Sequence, residues 1–461
     1  MIEAPVCRVL AIMGSGETSP TMVTVHKALA ARLGAGQHSA VLLDTPYAFQ
    51  ENAADISARA RSYFARSVGL TVQVVSQAGR TDGQAPEAAA GLAAVRTADW
   101  VFAGPGSPSY ALARWRGGPV ASALRERVAA GTGITVIASA AAAAMGFVAL
   151  PVYEIYKVGA DPHWLEGLDL LGMLGLKVAV IPHYDNAEGG THDTRFCYLG
   201  ERRLSVLERE LPPDAAVLGV DEHTALVFDL AAQQAEVVGR GGATVRKAGV
   251  SSVLPAGSRI TLADLSTLVR TGTPAPGSGP GVPRQQARSQ PGATPAVPGA
   301  AGEPDSAGGR QPAESADPGQ QAQTLPDVTS GAQRRFDAAM AGRDAAAMVS
   351  ALLDLDAAIE AWATDTDEND NADQARAVLR GLVVRLGRAA EQGLTDPADR
   401  LRPAVEPLVA LRDSLRSDGS YAAADVIRDA LTAAGVELRD SPDGTRWTVR
   451  AVIEEGRLAR P

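Results

Sequence analysis

Two cysteines, Cys7 and Cys197, are all that 461 residues contain, too few for a disulfide framework or a four-thiolate zinc site. That scarcity points to a reducing cytoplasm. Lysine is nearly missing as well: Lys27, Lys157, Lys177 and Lys247 stand among 43 basic residues, so the cations are mostly arginines, planar and suited to bidentate pairing. A positive excess is absent. The net charge of −10 and the pI near 5.2 argue against a chain that wraps nucleic acid by charge alone. Residues 134–153 are long enough to cross a bilayer, but about half of them are alanine, serine or glycine and Pro151 closes the run. A strand followed by a buried helix, with no membrane partner, is the expectation there. At the N-terminus Arg8 and the turn Gly14-Ser15-Gly16-Glu17 interrupt any signal-type apolar core, and no signal peptide is expected.

What is present is the composition of a soluble globular protein, 46% hydrophobic and 21% charged, in a chain too long for one ordinary core. Apolar runs at 8–13, 39–43, 71–75, 100–103, 134–138, 177–181 and 216–220 read as strands, with helical patterns between most of them. That alternation predicts an α/β fold, a doubly wound, mostly parallel sheet with flanking helices, whose function gathers at the carboxyl ends of the strands. Residues 235–238 and 243–246 read as a closing antiparallel ribbon. From 271 to 330 proline, glycine, alanine and glutamine dominate without periodicity, the composition of a disordered linker. Residues 331–461 then carry apolar residues at helical spacing over 336–362, 373–392, 398–417 and 421–434, followed by a hairpin. Three regions follow: 1–270, 271–330 and 331–461.

The most suggestive chemistry lies where a β-branched run ends in Ser139 and continues into Ala140–Ala144. A strand-to-helix elbow lifts a nucleophile out of a sheet and aims the free N–H groups of the next helix at the oxyanion beside it. Most serines at strand ends, however, only cap helices or make turns. Acyl transfer also needs a base and an orienting carboxylate. Strand ends offer His183, with Glu154 or Glu222, and spacing does not choose between the two glutamates. A metal reading would gather His183, Asp185, His192, Asp193 and Glu222, but these lack a compact ligand spacing, and no metal is assigned. Gly14-Ser15-Gly16 lacks the third glycine of a dinucleotide fingerprint, Ser19 standing in its place, so no cofactor is assigned either. The acidic stretch 365–371 reads as an interhelix loop.

Over about 8–247 the chain resembles the serine-peptidase branch of the class I glutamine amidotransferase-like superfamily, the branch of aspartyl dipeptidase and cyanophycinase. The resemblance rests on Met13-Gly-Ser-Gly-Glu17, Ala103-Gly-Pro-Gly-Ser107, the elbow with Met145-Gly146, His183 followed by Arg195 and Arg202-Arg203-Leu204, and Leu218-Gly-Val-Asp-Glu-His-Thr-Ala225. It implies Ser139 as nucleophile, His183 as base and Glu154, fifteen residues after the serine, as orienting acid. Gly106, Ser107 and Ala140 would form the oxyanion hole, with Glu222, Asp185 and Arg195 as substrate contacts or a second-choice acid. Ile137 and Ala141 stand where the branch has glycines flanking its serine.

The region 336–447 resembles the C-terminal anticodon-recognition region of cysteinyl-tRNA synthetase, in Ala423-Ala-Asp-Val-Ile-Arg428-Asp429, Gly435-Val-Glu-Leu and Asp440-Ser-Pro-Asp-Gly-Thr-Arg-Trp447. The synthetase's catalytic half is not represented, so cysteine activation is not expected. From residue 331 on, 17 arginines, no lysine and 23 carboxylates leave any RNA contact to a local basic face around Arg428, Arg439, Arg446 and Arg450. The combined expectation is a cytoplasmic serine hydrolase of the peptidase or amidase type, acting on a small peptide or amide and tethered to a module that contacts tRNA or protein. A homodimer is the expected assembly. The alternative is a non-catalytic adaptor that binds a small ligand and such a partner.

Overall fold

Runs of apolar residues with no polar alternation become strands buried on both faces. In the structure, a computed structural model describing residues 7–76, 86–189, 192–273, 284–286, 323–366, 371–392, 397–441 and 444–449, five of them form a parallel sheet. They are β1 (Arg8–Met13), β2 (Ala40–Leu43), β3 (Val72–Val75), β4 (Trp100–Ala103) and β5 (Gly133–Ala138), in the order β3-β2-β4-β5-β1. Side chains alternate between two cores. Val9, Ala11 and Met13 enter one, and Leu10 and Ile12 the other. Helices α1 (Val23–Ala31), α2 (Ala53–Tyr63), α3 (Pro86–Thr97), α4 (Pro108–Trp115) and α5 (Pro119–Ala130) connect them.

The later strands divide between this sheet and a second one. β6 (Val148–Ala149), β7 (Leu165–Glu166), β8 (Val178–Ile181) and β9 (Ala216–Val220) open the second sheet, in which β6, β8 and β9 run parallel. The chain then crosses to the first sheet as β10 (Thr224–Asp229) and β11 (Gln234–Gly239), returns as β12 (Gly242–Lys247) and β13 (Val250–Pro255), and adds β14 (Arg259–Thr261) beside β11. The expected ribbon of 235–238 with 243–246 is therefore not a pair, because β11 and β12 belong to different sheets. The two crossings are laced together. Asp221 N–H donates to Gly242 O at 3.1 Å, Gly242 N–H to Asp221 Oδ2 at 2.7 Å, and Arg240 N–H to His223 O at 3.0 Å.

One cation is sealed inside this body. Arg127 on α5 is 1% exposed and donates to Thr135 Oγ1 at 2.8 Å, Ile134 O at 2.9 Å and Ala98 O. Burial lowers its pKa to about 10, with Asp99 acting in the opposite direction. Arg127→Met removes every one of those donors and leaves buried carbonyls unpaired. It is expected to cost about 3 kcal/mol, read as a lower urea midpoint at unchanged slope.

Within the stretch read as linker, residues 274–283 and 287–322 lie outside the described residues, while Arg284–Gln286 pairs with β13 and a helix, Leu325–Ala341, has already begun by its end. By internal contacts the chain divides into 1–324 with 360–370, and 325–359 with 371–461. The single helix expected at 336–362 is two, Leu325–Ala341 and Ala345–Trp362. Arg343 takes φ 55° between them, and Asp344 Oδ1 accepts from Ala347 N–H at 3.0 Å to start the second. Helices Asn371–Gln392, Pro397–Ser417 and Tyr421–Ala433 follow, then the hairpin Val436–Ser441 with Gly444–Val449. Buried Arg412 ties helix to hairpin by a fork on Asp440, both arms 2.8 Å. The acidic stretch 365–371 is only partly covered, since 367–370 lie outside the described residues. Among the described residues no helix is long and apolar enough to cross a membrane.

Candidate active site

The chain leaves β5 extended at Ala138 and turns at Ser139, whose φ of 45° is a conformation few L-residues hold, before entering the five-residue helix Ser139–Ala143. Such backbone costs about 1–3 kcal/mol and lasts only where surroundings impose it. Here they do. Ile137, fully buried, is registered between Ile12 of β1 and Ala103 of β4, and Ala141 N–H donates to Gly104 O at 3.2 Å. The alanines are all buried, so their small size lets the turn pack tightly where glycines were expected. Helix propensity is secondary there.

His183 follows β8, also at positive φ (48°). Its carbonyl accepts from Asn186 N–H at 3.2 Å and Cys197 N–H at 3.0 Å. The second donor lies in Phe196, Cys197 and Tyr198, three consecutive left-handed residues. Ser139 Oγ stands 3.1 Å from His183 Nε2, and His183 Nδ1 is 2.9 Å from Glu222 Oε1. A charged carboxylate accepts only, so Nδ1–H donates to Glu222 and Nε2 is left to accept from the serine.

The carboxylate on His183 is thus Glu222, not Glu154. β8 lies between β9 and β6. Glu222 sits at the crossing after β9, beside the end of β8 where Ile181 registers with Gly219, whereas Glu154 opens a turn, Glu154–Val158, after β6. Glu154 Oε2 is buried and has no hydrogen-bond partner among the described residues. Burial works against charge on Glu222, yet hydrogen bonds from His183 and Asn186 and the nearby imidazoles outweigh it and hold the carboxyl below its ordinary range. Next to it, Asp221 is pushed up to about 7, by burial first and then by the charge of Asp185.

The residues expected around the oxyanion separate. Gly106 and Ala140 line the same cavity as Ser139 and His183. Gly106 has φ 132°, and a Cβ there would lie 2.0 Å from Pro46 O, so only glycine fits. Ser107 is corrected: its N–H is spent on Pro46 O at 2.8 Å and its Oγ caps α4 by accepting from Tyr110 N–H at 3.2 Å. Arg195 is committed to Asp193 by two bonds of 2.8 Å, and Asp185 Oδ1 accepts from Glu222 N–H at 2.7 Å. Neither lines the cavity. Of the residues weighed as a metal set, His192 stacks on Tyr156 and Asp193 holds Arg195. Among the described residues, no group of three or more His, Cys, Asp or Glu could hold a metal ion.

The cavity measures about 400 Å³ and is walled by Tyr156, Lys157, Glu188, Cys197 and Tyr198. Burial pushes the Cys197 thiol up to about 12, which keeps it protonated near neutrality and unsuited to compete as nucleophile. Tyr198 OH donates to Glu188 Oε2 at 2.7 Å. A larger cavity of about 530 Å³ is lined by Glu208, Arg246 and Lys247 and includes none of Ser139, His183 or Glu222. Two of its cations are already engaged, Arg246 by Glu201 and Glu208 and Lys247 by two backbone carbonyls. Asn186, Glu188 and Lys157 are the site residues that sequence reasoning passed over. The first two lie inside the polar cluster 183–195, where His and Asp drew notice first.

Residues 10–234 match the model of Peptidase family S51. A crystal structure of a peptidase from an acI-B1 Actinobacterium is 21% identical, with a TM-score of 0.46, covering 56% of this chain and 98% of that one. The chain also shows a likeness to cysteine–tRNA ligases. That of Salinibacter ruber is 44% identical over 69 residues, 15% of this chain, and that of Halorhodospira halophila 48% over 52 residues, 11% of this chain. The chain spans only 13% and 11% of those ligases' lengths.

Proposed function

We propose that the region matching Peptidase family S51 is a serine hydrolase of the peptidase or amidase type, with Ser139 as nucleophile, His183 as base and Glu222 as orienting acid. One observation carries the reading: the unbroken line Ser139 Oγ, His183 Nε2, His183 Nδ1, Glu222 Oε1, of which Ser139 and His183 line a cavity. Ser139 Oγ attacks the carbonyl carbon of an amide while His183 Nε2 takes its proton, and the Glu222 carboxylate stabilises the imidazolium that results. The N–H groups of Gly106 and Ala140 receive the oxyanion. Collapse of the tetrahedral species breaks the C–N bond, His183 returns the proton to the departing amine, and water, deprotonated by the same imidazole, releases the acid from Ser139. A fluorophosphonate probe is expected to modify the full-length protein once, with peptide mapping placing the adduct on Ser139. An adduct on another residue, or none, would sink the assignment.

For the helical region the reading is a tethered recognition module touching tRNA or a protein. In the hairpin Arg439 and Arg446 are directly opposed across the strands and both exposed, whereas Arg428 lies 3.8 Å from Asp425 and 3.7 Å from Asp429. Arg450 lies outside the described residues. Titrating full-length protein into labelled tRNA is expected to give binding that weakens steeply with salt and is lost in Arg439→Glu/Arg446→Glu. No shift even at low salt removes RNA as the partner.

A further inference from the structure

Behind the Ser139–His183 pair, one buried amide governs the acid. Asn186 is 0% exposed, and its Nδ2 donates at 3.0 Å to Glu222 Oε1, the oxygen that also accepts from His183 Nδ1. The amide cannot be turned over without loss. Its Oδ1 accepts from Glu188 N–H at 3.3 Å, which leaves the NH₂ end facing Glu222. Its backbone is fixed too, the N–H by His183 O and the carbonyl by Thr194 Oγ1 at 3.4 Å. The preceding residue, Asp185, takes the backbone N–H of Glu222. The turn 183–186 therefore carries the base and grips the acid twice, once by its main chain and once by its carboxylate.

The grip answers a specific difficulty. A glutamate carboxylate swings about its last torsion among many orientations, and this one has Asp185 and Asp221 close enough to repel it. Left alone, it would rotate away from His183 or take up a proton.

We infer that Asn186 is a positioning residue for the proposed hydrolysis, fixing Glu222 Oε1 against His183 Nδ1 and keeping that carboxylate ionised. The inference rests on the Ser139–His183–Glu222 reading. Asn186 touches no reacting atom and acts only through Glu222.

The test is the rate of fluorophosphonate labelling of the full-length protein between pH 5 and 9, for wild type, Ser139→Ala, Asn186→Leu and Asn186→Asp, with thermal melts as folding controls. Asn186→Leu keeps the volume but cannot donate, and its labelling rate is expected to fall about ten- to a hundredfold. Asn186→Asp is nearly isosteric, so it answers the question should the leucine variant fail to fold. It sets a second carboxylate against Glu222, and the added negative charge favours imidazolium. The acid limb of its rate profile is expected to move up by about one pH unit. Asp185, Asp221 and His223 also act on Glu222, but they are common to all four proteins. Folded Asn186 variants with wild-type rates, or a slower Asp variant whose limb has not moved, overturn the inference while an unlabelled Ser139→Ala leaves the triad standing. Wild-type labelling of Ser139→Ala overturns the triad itself.

Discussion

Ser139→Ala is expected to lower amide hydrolysis by four to six orders of magnitude, and Glu222→Gln by roughly four, while Glu154→Gln stays within about threefold of wild type. The contrast between the glutamates is the informative part. Glu222→Gln keeps the shape of the side chain, but it can offer His183 an N–H where a proton acceptor is needed, favouring the tautomer that cannot take the serine's proton. Glu154 has no such bond to His183 among the described residues, and its buried Oε2 has no hydrogen-bond partner among them, so Glu154→Gln removes no contact to the base. Steady-state rates on a panel of short peptides and aryl amides, normalised to folded protein, decide it. A large loss in Glu154→Gln with little in Glu222→Gln would reverse the assignment of the acid.

Stability is expected to fall as pH rises from about 4 to 7, the reverse of the usual carboxylate effect, and Asp221→Asn is expected to flatten that slope. The sign follows from Asp221, raised from 3.8 to about 7 in the folded chain. Between those values the folded state holds a proton that the unfolded state has lost, so the native form is favoured at the low end and loses ground as Asp221 ionises. Three units correspond to an upper bound of roughly 4 kcal/mol, reduced because the burden is shared with Asp185. Glu222 acts with the opposite sign. Its carboxyl is held low, so its contribution is complete above pH 4.5 and is lost as pH falls through its folded value. Urea midpoints at half-unit steps from pH 4.5 to 8 test this. A flat wild-type curve, or an Asp221→Asn curve as steep as wild type, would rule out the crossing as the seat of the effect.

Much of the architecture was legible because the parallel strands announce themselves as uninterrupted apolar runs, and because the shift from β-branched residues to alanine marks the elbow at Ser139. His183 was legible for a related reason: it ends an apolar strand. The division into two sheets was not, since β9 and β10 are neighbours in sequence and only long-range pairing assigns them to different sheets. The bond of His183 to Glu222 rather than Glu154 was hidden at the same point. A fixed offset from the serine says nothing about which side of β8 a carboxylate occupies. Ser107 could not be judged from its residue type, because what disqualifies it is a backbone N–H already given to Pro46. Asn186 was hidden by its neutrality, and the break at Arg343 by alanines that would continue a helix on either side.

The division into two sheets means that the proposed nucleophile and base arrive from different sheets, Ser139 from the end of β5 and His183 with Glu222 from the ends of β8 and β9. On the proposed reading, catalytic competence would therefore report the seam between two sheets with separate strand ladders. A slippage of about 1 Å there separates Oγ from Nε2 without breaking a single ladder bond in either sheet. Inactivation by heat or denaturant should accordingly run ahead of the loss of strands seen by circular dichroism, with the serine falling silent in a molecule whose secondary structure is still whole.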